Sequence, residues 1–137
     1  MKWWSLLTKM KIRIYYEDTD AGGIVYHTNY IKYCERARSE LFFQMGSMPT
    51  DGEKSGFVVK HIDADFLGMA KLGEIIEVRT QVVQERSASI QLLQTIYKEE
   101  KMIFSMKVLL VFVRNGRPRA IPQALKKFFG SMKSPNS

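Results

Sequence analysis

The sequence predicts a single α+β domain in which one long helix is kept apart from a run of antiparallel strands. Three observations predict this class. The chain has 137 residues and 45% hydrophobic content, which is enough for one domain with a proper core. One segment repeats apolar residues at helical spacing, and several other segments alternate apolar and polar residues. Segregation of a helix from a run of strands is typical of the α+β class.

The first predicted element is a strand over residues 9–16, where every second side chain is apolar. A loop over residues 17–29 follows, in which two acids and a pair of glycines supply turn chemistry. Thr28 or Asn29 is expected to cap the helix that comes next.

Residues 30–45 are predicted to form an amphipathic helix of about four turns that ends at Gly46. The side chains of its apolar face are Tyr30, Tyr33, Cys34, Ala37, Leu41, Phe42 and Met45. The opposite, polar face carries Lys32, Glu35, Arg36, Arg38 and Glu40. Residues 47–55 are polar, contain Pro49 and Gly52, and are predicted to be a loop.

Four further strands are predicted as an antiparallel meander, over residues 56–66, 74–84, 87–97 and 102–114. The pair Asn115-Gly116 signals a tight turn, and residues 122–132 are expected to form a short terminal helix. The domain is placed at residues 10–132, with an extension at 1–9 and a flexible tail at 133–137. One helix covers only one face of such a sheet, so the uncovered face and edges predict a homodimer or larger assembly.

Composition narrows the classes of partner and site. The net charge of +7 favours an anionic partner, such as a polyphosphate ligand, an anionic lipid or nucleic acid. The basic residues are scattered and no nucleic-acid motif occurs, so nucleic acid is not expected. The single cysteine, Cys34, excludes an internal disulfide and suggests a reducing compartment, most simply the cytoplasm. Only two histidines, His27 and His61, are present and lie far apart, so no metal site is predicted.

The loop before the helix combines groups that suit catalysis. Asp20 follows a strand and precedes a helix start, where backbone N–H groups lack partners and carry partial positive charge. Such N–H groups can bind a developing oxyanion, and a nearby carboxylate can attack a carbonyl or activate a water. The arrangement suits hydrolysis of an activated acyl group. Turn formation and capping are the alternative explanation for Asp18 and Asp20, and His27 could be an ordinary helix-start residue.

The stretch YYEDTDAGGIVYHTNYIKYCERARSELF, at residues 15–42, resembles the signature of the hotdog-fold acyl-CoA thioesterases of the YbgC type, which is linked to the Tol-Pal envelope system. It is more distantly similar to 4-hydroxybenzoyl-CoA thioesterase. The resemblance covers about residues 10–128 and includes the later segment GRPRAIP at 116–122. It implies one long helix wrapped by a five-stranded antiparallel sheet. It also implies dimers that join sheets edge to edge, often pair into tetramers, and hold active sites at the subunit interface.

The same resemblance assigns the site residues. Asp20 is the catalytic carboxylate, as nucleophile or general base, and His27 supplies a backbone N–H to the thioester carbonyl, with its side chain assisting. The mechanism that we expect from these residues adds an N–H near Gly23 at the thioester carbonyl, while Asn29 and Tyr30 position the helix start and line the acyl pocket. No metal or tightly held cofactor is implied, since CoA is part of the substrate. The candidates for binding the CoA phosphates are Lys60, Arg86, Arg117 and Arg119.

Other functions stay open at this stage. A hotdog hydroxyacyl dehydratase would use a histidine and an acid as proton carriers, and some relatives place their acid on the long helix, which here is Glu35. A non-catalytic module that binds an acyl carrier protein or a lipid surface is the alternative outside enzymes. Peripheral contact with the inner membrane through Trp3 and Trp4 belongs to that interpretation.

Overall fold

The computed structural model describes residues 8–44 and 54–131, which form an α+β domain. The described residues contain a six-stranded antiparallel sheet and two α-helices. In chain order these are β1 (Thr8–Arg13), α1 (Thr28–Gln44), β2 (Ser55–Phe66), β3 (Ile75–Glu85), β4 (Ser89–Lys98), β5 (Lys101–Arg114), β6 (Arg117–Pro118) and α2 (Gln123–Ser131). The predicted class is confirmed. The sheet contains the two-residue strand β6 in addition to the five expected strands, and the domain contains the short helix α2 in addition to the long helix.

Some predictions fall beyond these residues. Four predicted features lie wholly or mostly outside the described residues: the N-terminal extension up to residue 7, the helix end at Gly46, the loop that follows it and the tail at 133–137. β1 begins at Thr8, inside the stretch that was assigned to the extension.

The strand order corrects the predicted meander. The five long strands run in the order β1-β3-β4-β5-β2, so among them only β3, β4 and β5 follow one another as neighbours, and the short β6 pairs with β5. β2 lies beside β5 at the far edge, and β1 forms the other edge beside β3. Alternation of apolar and polar residues identifies a strand but does not depend on which strands lie beside it. The pattern therefore could not reveal that β2 lies at the far edge of the sheet, next to β5.

The helix α1 buries the side chains expected of its apolar face. Tyr30, Tyr33, Cys34, Ala37, Leu41 and Phe42 all belong to the core, while Met45 lies outside the described residues. The prediction that Arg38 lies on the polar face is wrong, because its side chain is only 9% exposed. Arg38 follows Cys34 by about one turn, so it lies beside the apolar stripe. From there its Nη1 donates to Oε1 of Gln94 at 2.9 Å. No helix among residues 8–44 and 54–131 is long and apolar enough to cross a bilayer.

The inner face of β2 is apolar yet open. Its residues Val59, Ile62 and Phe66 pair with Leu110, Val108 and Phe104 of β5, whose side chains are buried. Paired residues of antiparallel strands point to the same face, so these β2 side chains face the helix side of the sheet. They are nevertheless 46%, 37% and 48% exposed. The backbone of α1 comes closest to β1 and β3, near the opposite edge of the sheet, and only its side chains Phe42 and Tyr30 reach Phe57 and Phe66 at the two ends of β2. An uncovered apolar strip therefore runs along an edge strand.

Candidate active site

The loop that carries Asp20 is a small, well-bonded hairpin. Thr19 and Val25 form an antiparallel bridge, and the N–H of Asp20 donates to the carbonyl of Ile24 at 2.9 Å. A second segment clamps the hairpin from outside, since the N–H of Val25 donates to the carbonyl of Ala70 at 3.0 Å. Ile24 also forms a bridge with Lys71. The position of Asp20 is thus fixed by backbone contacts on both sides of the loop.

The Asp20 carboxylate has one oxygen held and one oxygen open. Oδ1 accepts the N–H of Gly22 at 2.8 Å and that of Ile24 at 3.4 Å. Oδ2 accepts no hydrogen bond from residues 8–44 or 54–131, and the side chain is exposed. A carboxylate that is oriented by two backbone donors and open on its second oxygen can approach a carbonyl carbon or a water.

Gly23, predicted to bind the substrate through its N–H, lies in the turn of the loop. Its N–H donates to the carbonyl of Asp20 at 3.0 Å, so it is not free to bind a substrate oxygen in this arrangement. Gly23 instead makes the turn, with φ of +76°, a region that L side chains rarely adopt. Its carbonyl accepts the N–H of Leu72 at 3.0 Å, which joins the hairpin to the clamping segment.

Replacing Gly23 by alanine is expected to strain this turn by about 1–2 kcal/mol. No atom lies within 4 Å of the added Cβ, so the strain comes from the backbone alone. We expect kcat to fall about 10²-fold, because a shift of about 1 Å in a reacting group has that effect. Gly116→Ala is the matched control, since Gly116 has the same φ of +76° in the turn after β5. It should lower the melting temperature similarly and leave kcat unchanged; equal losses of kcat would contradict the assignment.

The start of α1 offers an unpaired backbone donor. The N–H of His27 has no acceptor within the described residues, whereas those of Asn29 and Tyr30 donate to the carbonyls of Tyr26 and His27. Thr28 and Asn29 both lie inside the helix, so the prediction that one of them precedes and caps it is wrong. The unpaired N–H of His27 carries the partial positive charge of a helix N-terminus.

Asn29 and Tyr30 fasten the helix start to the loop and to its clamp. The side-chain amide of Asn29 donates to the carbonyl of Asp18 at 2.9 Å. The hydroxyl of Tyr30 accepts the N–H of Ala70 at 3.0 Å, and burial raises the pKa of this hydroxyl. Tyr30 is buried at 3% exposure, so its ring lies within the core. Positioning of the helix start and lining of an acyl pocket both stay predictions for Asn29 and Tyr30.

Phe66 is the contact that sequence reasoning missed. Its ring lies edge-on to His27 at a centroid distance of 5.9 Å, and it packs against Tyr30 at 6.3 Å and Phe104 at 5.1 Å. The ring of His27 also lies 4.7 Å from that of Tyr26. These side chains form an aromatic wall beside the helix start. Phe66 ends a strand just before Gly68, and that position was the available signal.

The predicted phosphate-binding residues divide into two locations. Arg86 lies in the turn between β3 and β4, where its N–H donates to the carbonyl of Ser89 at 2.9 Å. The carbonyls of Ser87 and Ala88 accept the N–H groups of Ile121 and Phe112, which brings this turn against β5 and the segment that follows β6. Arg117 and Arg119 are therefore close to Arg86 at one end of the sheet, and all three are exposed. We call this end, defined by Arg86, Arg117 and Arg119, the basic end.

The basic end is remote from Asp20 of the same chain. The clamp of the Asp20 loop follows Gly68, whose N–H donates to the carbonyl of Ile103 near the beginning of β5. Phe112 lies nine positions further along that strand, which corresponds to roughly 30 Å. Lys60 is the second location of the predicted phosphate-binding residues: it is exposed at the irregularity in β2 between Val59 and His61, away from the basic end.

Other candidate nucleophiles and ligands do not join the Asp20 loop. The thiol of Cys34 is buried, and burial raises its pKa to about 12, with Arg38 acting in the opposite direction. Such a thiol is a poor nucleophile near neutral pH. Glu35 is exposed on α1. No group of three or more histidine, cysteine or acidic side chains suited to a metal ion occurs within the described part of the chain.

A protein-family model described as the thioesterase-like superfamily matches residues 15–129, which is most of the chain. The chain belongs to this superfamily. The "Acyl-CoA thioesterase YbgC" of Helicobacter pylori is 41% identical over 134 residues, a match that covers 90% of this chain and all of that protein. The "Acyl-CoA thioester hydrolase YbgC" of Escherichia coli is 35% identical over 127 residues, covering 87% and 92%.

A solved structure described as a probable thioesterase from Bartonella henselae has the same fold. It superposes with a TM-score of 0.78 at 30% identity, covering 85% of this chain and 99% of that one. These matches confirm the predicted YbgC-type membership and the hotdog fold of this thioesterase. They also confirm that it is a hydrolase of the thioesterase class. The roles of individual residues stay predictions.

Proposed function

We propose that this thioesterase hydrolyses acyl-CoA to a free acid and CoA, with Asp20 as the reacting carboxylate. The main observation behind the proposal is that one loop holds both a carboxylate with an open oxygen and an unpaired backbone N–H at a helix start. One oxygen of Asp20 is held by two backbone N–H groups, and the other is open. The loop leads directly into α1, where the N–H of His27 is unpaired among the described residues. The YbgC relatives carry the acyl-CoA thioesterase name over nearly the whole chain, which supports the same substrate class here.

The N–H of His27 binds the thioester oxygen in this mechanism. As negative charge develops on that oxygen, the N–H and the dipole of α1 stabilise it, a contribution of roughly 3 kcal/mol per donor in known cases. The proposal does not assign this role to the N–H of Gly23, because that N–H donates to the carbonyl of Asp20. The imidazole of His27 is exposed beside Phe66 and is placed to assist at the same point.

Asp20 completes the reaction by one of two routes. As a general base, it takes a proton from water, and the hydroxide attacks the carbonyl carbon. As a nucleophile, it forms an anhydride with the acyl group that water then cleaves. In both routes the carbon–sulfur bond breaks, CoA leaves as a thiolate that acquires a proton, and the acyl group departs as a carboxylic acid. No metal or redox cofactor takes part in either route.

The acyl group lies against the aromatic wall in this proposal. Phe66 is 48% exposed although it packs on Tyr30 and Phe104, so one side of its ring is available for an apolar contact. His27 touches the same ring, which places that contact beside the proposed position of the thioester. Measuring CoA release from short, long and aromatic acyl-CoAs, and from acyl carrier protein, tests the proposal and identifies the preferred substrate.

Two subunits are needed for a complete site in this proposal. The open apolar strip of β2 lies on an edge strand, so a second copy can pair with that edge and cover the strip. Antiparallel pairing of β2 with its copy across a two-fold axis brings the Ser55 end of one strand beside the Phe66 end of the other. Ser55 pairs with Arg114, next to the basic end. The basic end of one subunit would then bind the CoA phosphates at the Asp20 loop of its partner.

Replacing Ile62 by lysine is expected to break this assembly. The substitution puts a charge in the centre of the apolar strip, where burial against a second copy would leave it without a partner. The measurement is molar mass in solution, which should fall to that of a monomer, together with loss of hydrolysis. Ile75→Lys is the matched control, since Ile75 is a similarly exposed isoleucine at the beginning of β3. An oligomer that survives Ile62→Lys unchanged would remove the β2 interface.

A further inference from the structure

The clamp, which consists of residues 67–74 between β2 and β3, contacts both halves of the candidate site. On the loop side, the N–H of Leu72 donates to the carbonyl of Gly23 at 3.0 Å. On the helix side, the N–H of Ala70 donates to the hydroxyl of Tyr30 at 3.0 Å. A displacement of the clamp would therefore shift the loop relative to the start of α1.

Backbone hydrogen bonds hold the clamp at its two ends. At the first end, the N–H of Gly68 donates to the carbonyl of Ile103 at 3.0 Å. At the second end, the N–H of Gly73 donates to the carbonyl of Ile14 at 2.9 Å. Between these ends, no backbone hydrogen bond joins residues 69–72 to a strand within the described part of the chain. The stretch that contacts the loop and the helix start therefore depends on side chains for its attachment to the sheet.

A lysine at the end of β4 provides that attachment. Lys98 pairs with Ile76 of β3, whose side chain is buried, so both side chains face the helix side of the sheet. The ammonium of Lys98 donates to the carbonyl of Met69 at 3.1 Å. It also lies 3.5 Å from Oε1 of Glu74, and the same oxygen accepts the N–H of Lys71 at 2.6 Å. Lys98 and Glu74 thus join the middle of the clamp to the sheet.

The contact between Lys98 and Glu74 is too exposed to matter much for the stability of the whole domain. The two side chains are 27% and 35% exposed. Ion pairs at this exposure contribute little to the free energy of unfolding, because water screens them and both side chains lose freedom. A local effect on the clamp is therefore separable by experiment from a general loss of stability.

We propose that Lys98 and Glu74 are positioning residues for hydrolysis. They hold the clamp against the sheet, and the clamp keeps the Asp20 carboxylate and the His27 N–H at the spacing that the reaction needs. Without them the middle of the clamp moves, and the loop follows it through the hydrogen bond to Gly23. This inference rests on the proposed role of Asp20.

The first test is the kinetics of Lys98→Met, which removes the ammonium and keeps an unbranched apolar side chain. We expect kcat to fall about tenfold and KM to change less than about twofold, because the reacting groups shift and the basic end is untouched. The melting temperature should fall by no more than about 3 °C. Lys98→Arg should recover more than about half of the wild-type kcat, since a guanidinium donates to both oxygens. Wild-type kcat in Lys98→Met, or a Lys98→Arg variant that is equally slow, would overturn the proposal.

Lys101→Met is the matched control. Lys101 is the cross-strand partner of Lys98 on β5, is exposed, and makes no hydrogen bond or ion pair with the described residues. The control removes the same charge from the neighbouring position, and kcat should stay within about twofold of wild type because water and salt screen such a charge. Equal losses of kcat in the two variants would mean that the charge acts at a distance, and would overturn the positioning role.

A double-mutant cycle tests whether the two side chains act together. Glu74→Gln keeps an oxygen for the N–H of Lys71 and removes the charge that faces Lys98, so kcat should fall about threefold. The double variant with Lys98→Met should be no slower than Lys98→Met alone, since both substitutions break the same contact. A double variant about 30-fold slower than wild type would show separate effects and overturn the assignment as a pair.

Amide hydrogen exchange makes failure of the two proposals distinguishable. The N–H groups of Val25 and Leu72 bond between the loop and the clamp. They should exchange about tenfold faster in Lys98→Met than in wild type, while those of β4 and β5 keep their rates. Unchanged exchange at Val25 and Leu72 would overturn this inference whatever the role of Asp20. Retained hydrolysis in Asp20→Asn would instead contradict the proposed function.

Discussion

Asp20→Asn is expected to lower kcat for acyl-CoA hydrolysis about 10³-fold, because an amide neither takes a proton from water nor attacks a thioester. The substitution keeps the shape of the side chain. Its amide oxygen can still accept the N–H groups of Gly22 and Ile24 that hold Oδ1 in the wild type. The loop should therefore keep its conformation, and KM should change little. The measurement is release of the CoA thiol from short, long and aromatic acyl-CoAs, with folding checked by circular dichroism.

Glu17→Gln is the matched control for this substitution. Glu17 is an exposed acid in the same loop and makes no hydrogen bond or ion pair with the described residues. The Glu17→Gln variant loses the same charge from the same loop, so its kcat should stay within twofold of wild type. A folded Asp20→Asn variant that keeps more than a tenth of the wild-type rate would refute the role of Asp20. Equal losses in both variants would mean that charge near the helix start matters and that a specific carboxylate does not.

Local patterns predicted the elements of this fold, because each pattern is read within one segment. The helical spacing from Tyr30 to Phe42 reports a face that is buried whichever strands lie beneath it. The position of β2 depends on contacts between residues far apart in sequence, such as Ser55 with Arg114, and alternation does not encode them. Arg38 shows a further limit, since its burial depends on Gln94 of β4, which offers an acceptor across the core.

The site was predictable to the extent that it is contiguous in sequence. Asp20 and His27 lie on one loop and helix start, so spacing and resemblance were enough to select them. The state of each N–H group was not predictable, because it depends on how the turn closes: Gly23 donates to Asp20, whereas His27 donates to none of the described residues. Phe66 comes from a strand that begins after α1, and only the folded sheet brings it to His27.

The basic end, although far from the Asp20 loop of its own chain, is expected to have a large effect on the KM for acyl-CoA. Replacing Arg86, Arg117 and Arg119 together by alanine is expected to raise KM for acyl-CoA about 10–100-fold, since charge-assisted hydrogen bonds to phosphate are lost, and to leave kcat unchanged. The matched control removes three exposed lysines elsewhere, Lys9, Lys11 and Lys107, and should keep the wild-type KM. An unchanged KM in the arginine variant would remove the basic end from CoA binding.

A mixed dimer then decides whether these arginines act on their own Asp20 or on that of the partner. One subunit carries Asp20→Asn with its arginines intact, and the other carries the three alanines with Asp20 intact. Each subunit has its own affinity tag, and dimers that hold both tags are purified and assayed at low acyl-CoA. If the basic end serves the partner, one site per dimer is complete and about half of the wild-type activity returns. If it serves its own subunit, neither site is complete and the activity stays at the level of the parent variants. Because roughly 30 Å of β5 lies between the basic end and the clamp of the Asp20 loop in one chain, we expect the first result.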